Sequence, residues 1–225
     1  MSATVFETIR VRDGWAPFLT RHADRLDAAC RALRLPPLEQ SLDRILAPWL
    51  GAGDLVVRVE VGSGGVTVNT RAVPPVAALD VVIAATRHAP YPHKLVARDR
   101  FAAALEEAGA AGADDALLVT PAGLVAEGTS WSIFWWDEDR LATPPLRLGI
   151  LPGIARARVL DLVAGIEREC QPVELMGVSV FATNAVRGVV PIRHLNRVAL
   201  PSDPRTARLA GRFWPDTARL SEARI

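Results

Sequence analysis

The stretch HAPYPHKLVARDRF, residues 88–101, separates two units of different pattern and contains Lys94. Residues 88–93 carry two prolines, which favour an extended linker over a helix or a central strand. Lys94 is the only lysine in a chain with 26 Lys and Arg residues. Arginine serves surface and ion-pair positions as well as lysine does, but only lysine can lose its proton near neutral pH and attack a carbonyl. The lone lysine therefore indicates amine chemistry, and the alternative is a chance survivor on a loop.

The residues before this stretch predict a β-α-α-β-β-β unit. TVFETIRV alternates as a strand does, and LTRHADRLDAACRALRLPP has apolar residues at helical spacing before a proline pair. LEQSLDRILAPWLGAG predicts a second helix, and three strands follow it, at DLVVRVEVG, GVTVNTRAV and LDVVIAATR. The turn GSGG between the first two strands could bind phosphate. It lacks a following helix, so a hairpin is the favoured interpretation.

The residues after the stretch predict a second unit of mixed pattern. It begins with a helix at RDRFAAALEEAGAAG and continues with strands at DDALLVT and within LVAEGTSWSIFWWDEDRLATPP. GILPGIARARVLDLVAG predicts a tight loop and a helix, and a last helix is predicted over 205–222. We therefore expect an α+β fold of two domains, a small α/β domain over 1–87 and a larger domain over 94–225, with 88–93 as the linker.

Composition excludes several classes of protein. The net charge is only +1 and the charges are mixed along the chain, which argues against a nucleic-acid-binding module. No cluster of Cys and His has metal-ligand spacing, so no metal is expected, and Cys30 and Cys170 are expected to be free thiols in a reducing compartment. No signal peptide and no run of eighteen apolar residues is present, so we expect a cytoplasmic protein with no membrane association.

Three further segments could act together with Lys94. Glu127, in LVAEGTS, follows an apolar strand and could project inward, or could be an ordinary loop acid. GILPGIAR could present free helix amides to a phosphate, or could simply start a helix. Thr183 and Asn184 interrupt an apolar run, where buried polar residues need partners. An amine, an inward acid and two anion-binding turns suit pyridoxal phosphate, which needs a lysine, a carboxylate at its ring nitrogen and donors for its phosphate.

These segments resemble the class IV aminotransferases, which are pyridoxal-phosphate enzymes of fold type IV. FETIRV with FLTRHADRLDAAC is similar to the family's first strand and its L-x-x-H-x-x-R-L helix, and HKLVAR is similar to its lysine segment. DDALLVTPAGLVAEGTSWSIF resembles the central block of the family, and GILPGIARARVL and VFATNAVRGVVPI resemble its phosphate loops. The resemblance implies a larger domain with a mixed sheet or pseudo-barrel flanked by helices, and a homodimer.

The resemblance also implies a role for each matching position. Lys94 would form the Schiff base with the cofactor and then move the proton at the substrate carbon, and Glu127 would pair with the ring nitrogen. His22 is expected to be structural. The remaining cofactor-binding positions implied by the resemblance are Arg25, the amides of Ile154 and Ala155, the hydroxyl of Thr183, and Asn184. The candidate substrate-binding residues are Arg10, Arg58, Ala185 and Arg187.

Several positions depart from the family pattern. Ala155 and Ser132 stand where the family usually has threonine and asparagine. Asp99 stands where many branched-chain aminotransferases have a tyrosine, which counts against that activity. Family members also usually have further residues before FET, so the small domain is expected to be shortened at its start.

The compact start and TNAVRGVVPI look most like aminodeoxychorismate lyases. The expected function is therefore 4-amino-4-deoxychorismate lyase, which forms 4-aminobenzoate and pyruvate from a small-molecule amine, with an aminodeoxychorismate synthase as a candidate partner. The alternatives are an aminotransferase acting on D-amino acids, branched-chain amino acids or amines, and a binding protein without cofactor on the same scaffold.

Overall fold

The computed structural model describes residues 3–75 and 77–215. Two sheets organise these residues, one of three strands and one of nine. The strands are β1 (Val5–Val11), β2 (Leu55–Gly62), β3 (Gly65–Ala72), β4 (Leu79–Arg87), β5 (Asp115–Val119), β6 (Val125–Gly128), β7 (Ser132–Asp137), β8 (Arg140–Thr143), β9 (Gly165–Glu167), β10 (Val180–Asn184), β11 (Gly188–Leu195) and β12 (Val198–Ala199). The α-helices are α1 (Leu19–Ala32), α2 (Leu42–Leu46), α3 (Ala102–Ala111), α4 (Ile154–Leu162) and α5 (Pro204–Phe213).

The first sheet is antiparallel, in the order β1-β2-β3, and one of its faces is covered by α1 and α2. Side chains alternate between the faces of a strand. On β1, Val5, Ile9 and Val11 therefore enter the core beneath the helices, while Phe6 and Thr8 face the opposite way. That second face of the sheet becomes a wall of the candidate site.

The second sheet has the order β6-β5-β4-β11-β10-β7-β8-β9, with β12 paired to β11. Its pairings are mixed: β4 lies parallel to both β5 and β11, whereas β10 and β7 are antiparallel. One cluster of buried residues joins α3 to β5, and another joins α4 and α5 to β7 and β10. The expectation of an α+β fold with a mixed sheet flanked by helices is confirmed.

The sequence placed β4 in the first unit, but its hydrogen bonds are to the second sheet. The segment between β3 and β4 contains Pro74 and Pro75, which have no amide hydrogen and cannot continue a hairpin ladder. The chain therefore leaves the first sheet after β3. The domain limits at 87 and 94 stay a prediction.

Two helices differ in length from the prediction. The second helix is short, because α2 passes into a single turn of 3-10 helix at Ala47–Trp49 and the chain then bends at Gly51 and Gly53, both with positive φ. The described part of the last helix ends at Phe213, and residues 216–222 of the predicted span lie outside the described residues. None of the helices in the described ranges is long and apolar enough to cross a membrane.

Candidate active site

A cavity of about 240 Å³ lies between the outer face of the first sheet and the second sheet. Its walls come from β1 and β2, from the segment after β4, and from β6, α4 and the turn after β10. Distant segments that the sequence singled out are therefore brought together here. The residues singled out by the sequence that line it are Arg25, Arg58, Lys94, Glu127, Ile154, Ala155, Thr183, Asn184, Ala185 and Arg187.

Lys94 is held by backbone pairing with the first strand. The amide of Phe6 donates to the carbonyl of Lys94 at 3.0 Å, and the amide of Val96 donates to the carbonyl of Thr4 at 2.8 Å. The Nζ atom of Lys94 lies 4.8 Å from the centre of the Phe6 ring. The lysine therefore occupies a fixed place at the junction of the two sheets.

The environment of Lys94 favours the neutral amine. Burial is the main cause that lowers the pKa of Lys94, to about 7; the positive charges of Arg25, Arg98 and Arg58 contribute to this shift, and Glu7 opposes it. An ordinary lysine has a pKa of about 10.4 and is almost entirely protonated at neutral pH. The cavity therefore holds a lysine of which a large fraction is the nucleophilic form near neutral pH.

Arg25 reaches the cavity from α1 and is anchored by a buried carboxylate. Its Nε donates to Glu7 Oε1 at 2.6 Å and its Nη2 donates to Glu7 Oε2 at 2.7 Å, a bidentate pair. Its Nη1 donates to the carbonyl of Pro152 at 3.2 Å, in the loop before α4. These contacts use three of the five N–H groups of the guanidinium and leave two for a ligand.

Glu7 completes this arrangement with His22, whose Nδ1 lies 2.7 Å from Glu7 Oε2. Both side chains are only 1 % exposed. Burial alone would raise the pKa of Glu7, but the charge of Arg25 and the hydrogen bonds of His22 and Arg25 hold it well below its ordinary value. Burial lowers the pKa of His22, so Glu7 is the ionised member of the pair. His22 contacts Glu7 and does not line the cavity, which agrees with a structural role.

Glu127 lies on β6 with a carboxylate that is 4 % exposed. The amide of Leu151 reaches both of its oxygens at 3.4 Å, and His88 Nδ1 is 3.9 Å from Oε1. Burial raises the pKa of Glu127 to about 8, although hydrogen bonding from Tyr91 and from Leu151 opposes this rise. A cationic partner in the cavity would favour the ionised carboxylate.

The start of α4 supplies free amides to the cavity wall. The first helical hydrogen bond runs from the amide of Ala157 to the carbonyl of Gly153 at 3.0 Å, so the amides of Ile154 and Ala155 precede the hydrogen-bonded part of the helix. Gly153 makes the approach close: a Cβ there would lie 2.7 Å from the hydroxyl oxygen of Ser132. The turn thus has the open donors and the narrow backbone approach that a phosphate requires.

The turn after β10 is built by its own polar side chains. Asn184 Oδ1 accepts from the amides of Val186 and Arg187, at 3.0 and 2.9 Å. The Thr183 hydroxyl donates to the carbonyl of Gly188 at 2.9 Å. The hydroxyl hydrogen that the resemblance assigned to a phosphate is therefore engaged within the hairpin.

Two other residues discussed from the sequence lie away from the cavity lining. Arg10 pairs with Asp54, donates to the carbonyl of Val186 at 3.1 Å and stacks on Trp214, so it ties β1 to the turn after β10. Asp99 is exposed.

Sequence reasoning did not single out several residues of this site, among them Glu7, Arg98 and the partner of Glu127, Tyr91. A signal for Glu7 was present, because it shares the parity of Val5, Ile9 and Val11 on a strand whose odd positions are buried. No local pattern distinguished Arg98 from the other arginines. The arginines of the lining that the sequence did not single out are Arg71, Arg98 and Arg100.

Comparison with known proteins agrees with this geometry. The family model of the class IV aminotransferases matches residues 4–195. The chain belongs to the class IV aminotransferase family. Enzymes of this family depend on pyridoxal phosphate.

The chain is similar to several named proteins. A probable branched-chain-amino-acid aminotransferase of Thermotoga maritima is 36% identical over 48% of this chain and 43% of its own length. A putative branched-chain-amino-acid aminotransferase of Methanocaldococcus jannaschii is 28% identical over 84% of this chain and 77% of its own. The aligned part thus spans less than half of the first relative. The crystal structure of a putative 4-amino-4-deoxychorismate lyase of Legionella pneumophila superposes with a TM-score of 0.84 at 24% identity, covering 92% of this chain and 89% of that one, which shows a common fold.

The residues of the cavity fit the cofactor. A lysine with a lowered pKa suits the aldehyde, and a buried carboxyl suits a ring nitrogen that carries a proton. The two remaining N–H groups of Arg25 and the open amides at Ile154 and Ala155 provide donors for the phosphate. A Cβ at Gly153 would lie against the hydroxyl of Ser132, so the start of α4 has no room for a larger residue at this position.

Proposed function

We propose that this protein is a pyridoxal-phosphate-dependent 4-amino-4-deoxychorismate lyase that forms 4-aminobenzoate and pyruvate. The observation that carries the proposal is the charge of the cavity. Six arginines and Lys94 line it, and Glu127 is the one acid among the residues of the lining. Four of these arginines, at positions 71, 98, 100 and 187, form no ion pair with any carboxylate in the described ranges. A cofactor phosphate and a substrate with two carboxylates would balance such a cavity.

Residues of this chain would divide the work as follows. The cofactor, when bound, supplies an aldehyde that condenses with amines and a ring that accepts electrons. The neutral amine of Lys94 accepts the proton from the substrate carbon that bears the amine. Glu127 holds the positive charge at the ring nitrogen, and Arg25 with the amides of Ile154 and Ala155 binds the phosphate. Loss of pyruvate makes the substrate ring aromatic, so no amino acceptor is required.

The substrate carboxylates would meet arginines from both sheets. Arg58 lies opposite Thr8 in the β1–β2 register and faces the cavity, although it also pairs with Glu60. Arg187 stacks on Trp131 at the opposite wall, 5.3 Å from the ring centre. The amide of Ala185, which also lines the cavity, is a further candidate donor.

The second candidate is an aminotransferase that acts on D-amino acids, branched-chain amino acids or amines. The relatives at 28% and 36% identity, both named as branched-chain aminotransferases, favour it. Lys94 and Glu127 would serve the same roles in that reaction. A branched-chain substrate has one carboxylate and an apolar side chain, and would leave more of the arginines without a counter-charge.

Turnover assays distinguish the two reactions. We expect the holoenzyme to convert aminodeoxychorismate into equal amounts of 4-aminobenzoate and pyruvate with no oxo acid added. Lys94→Arg should lose both this turnover and the cofactor absorbance that borohydride removes, because arginine cannot condense with the aldehyde. Arg147→Gln, which changes an exposed ion pair with Glu169, is the matched control.

The same assays can also refute the proposal. Transfer from amino acids to 2-oxoglutarate or pyruvate, without release of 4-aminobenzoate, would refute the lyase proposal and support the second candidate. A Lys94→Arg protein that kept the absorbance band would refute the role of Lys94 in either reaction. The homodimer, the synthase partner and the cytoplasmic location stay predictions.

A further inference from the structure

Arg98 has an unusual position among the arginines of the cavity. It follows Lys94 by four residues and precedes a turn of 3-10 helix at Asp99–Phe101. Its guanidinium lies over the ring of Phe101, 4.8 Å from the centre, and its Nη2 donates to the carbonyl of Thr129, just after β6. The side chain therefore spans from the lysine segment to the strand that carries Glu127.

Arg98 has no ion-pair partner among the described residues, although the more distant charges of Asp115 and Glu127 act on it. Arg25 pairs with Glu7 and Arg58 pairs with Glu60, but no carboxylate in the described ranges lies within ion-pair distance of Arg98. Burial lowers the pKa of this guanidinium. Removing an unpaired charge from water is unfavourable unless another group compensates it.

The location of that charge points to the centre of the site. Arg98 lines the same cavity as Lys94 and Glu127, and its charge lowers the pKa of both groups. Arg100 also lowers the pKa of Glu127, but its guanidinium lies over the ring of Tyr91. Arg187 lies over the ring of Trp131, and Arg71 is exposed on β3. The one hydrogen bond to Thr129 leaves most of the planar donor fork of Arg98 for a ligand.

We propose that Arg98 binds an anionic oxygen of a ligand held between Lys94 and Glu127. Two sources offer this chemistry, the phenolate oxygen of the cofactor and a carboxylate of the substrate. A guanidinium suits either of them, because it forms charge-assisted hydrogen bonds and stays protonated. The inference depends on the cofactor of the family and not on whether the reaction is a lyase or a transfer reaction.

The test uses the holoenzyme and three variants. Arg98→Gln removes the charge, Arg98→Lys keeps the charge without the planar fork, and Arg147→Gln is the control at an exposed ion pair. In the first arm, without substrate, the cofactor absorbance is titrated with pH and the dissociation constant of pyridoxal phosphate is measured. In the second arm, the dissociation constants of 2-oxoglutarate and pyruvate are measured by titration of the holoenzyme.

Loss of a charge-assisted contact should weaken binding by about tenfold or more. If Arg98 contacts the phenolate, Arg98→Gln weakens cofactor binding and raises the apparent pKa of the absorbance change, because a cation that opposed protonation is gone. If it contacts the substrate, Arg98→Gln weakens the binding of the oxo acids and leaves the dissociation constant of pyridoxal phosphate unchanged. In either case the affinity of Arg98→Lys for the affected ligand should lie between those of Arg98→Gln and the wild type.

The inference would be overturned if Arg98→Gln matched the wild type and Arg147→Gln in both arms. It would also be overturned if both Arg98 variants lowered the thermal midpoint equally and neither changed ligand binding, because Arg98 would then act only through Thr129 and Phe101. Neither outcome depends on lyase turnover, so a failure here is distinguishable from a failure of the proposed function.

Discussion

At the scale of single residues, the reactivity of Lys94 depends on one buried acid. Burial and three arginines shift the pKa of Lys94 downward, and Glu7 is the group that shifts it upward. Glu7 also fixes Arg25 through the bidentate pair. The same carboxylate therefore sets the direction of Arg25, the proposed phosphate ligand, and moderates the protonation of Lys94, the proposed nucleophile.

Glu7→Gln should consequently lower the pKa of Lys94 and weaken the fold at the same time. In the wild type, capture of pyridoxal phosphate by the apoenzyme should accelerate as pH rises through about 7, where the amine loses its proton. In Glu7→Gln this midpoint should lie at a lower pH, because the negative charge that favoured the ammonium is absent. Initial rates of absorbance change at fixed cofactor concentration, measured across pH, check the shift.

The free energy of unfolding gives the second readout of Glu7→Gln. Removing one partner of a buried ion pair costs about 3 kcal/mol or more, whereas the control Asp54→Asn, at the exposed partner of Arg10, should cost less than about 1 kcal/mol. If Glu7→Gln lost stability but the pH midpoint of cofactor capture stayed the same or rose, this result would contradict the expected effect of Glu7 on the pKa of Lys94.

At the scale of elements, the start of α4 owes its shape to Gly153 and to the neighbouring β7. The φ of Gly153 is −69°, which any residue can adopt, so the requirement for glycine is one of space. The space is limited by Ser132, which lies opposite Thr183 in the β7–β10 register and is buried. The serine in place of the family's asparagine is thus part of the packing behind the phosphate turn.

Gly153→Ala should weaken cofactor binding, because the new methyl group must displace Ser132 or the start of α4. Ser132→Ala in the same chain should restore much of the affinity, because it removes the atom in conflict; such non-additivity is expected of neighbours in contact. Gly109→Ala, in α3 with open space around it, is the control and should add up to about 1 kcal/mol of stability. Cofactor titration of all four proteins checks this. Equal affinity of Gly153→Ala and the double variant would contradict the steric explanation.

At the scale of the whole molecule, the site joins two sheets that share few hydrogen bonds. Backbone bonds from Phe6 and Val96 connect β1 to the lysine segment, and Arg25 connects α1 to the loop before α4. A ligand in the cavity contacts both sheets. Binding should therefore stabilise both sheets, and not only the second sheet.

Hydrogen exchange can test this coupling. A ligand present at 100 times its dissociation constant stabilises the folded state by about 2.7 kcal/mol. We expect the slowest amides of both sheets, such as Ile9 in β1 and Ala182 in β10, to gain protection together on cofactor binding. Lys94→Arg should show a much smaller gain in both places. A gain confined to β10 would show that the first sheet unfolds independently of the site.

The sequence alone determined the order and type of most elements and the residues with distinctive chemistry. Alternation on β1, the GSGG hairpin and the glycine before α4 are local signals, since they depend on side-chain period and backbone freedom within a few residues. Lys94 was recognisable because arginine cannot form an imine, and a chain rich in arginine has its one lysine at this position. Together with the family resemblance, these local signals were sufficient for the α+β class and for part of the cavity lining.

Only the tertiary structure decided which segments meet. The parallel pairing of β4 with β11 joins Leu79 to Ile192, and no periodicity within either strand specifies its partner. The contacts of Glu7 with Arg25 and His22 are also properties of distant segments packed together, and so is the lack of an ion-pair partner for Arg98 among the described residues. The physical reason is that the spacing of apolar residues along the chain indicates which face of a strand is buried. Ion pairs and pKa values depend instead on which groups lie within a few ångströms in the folded protein.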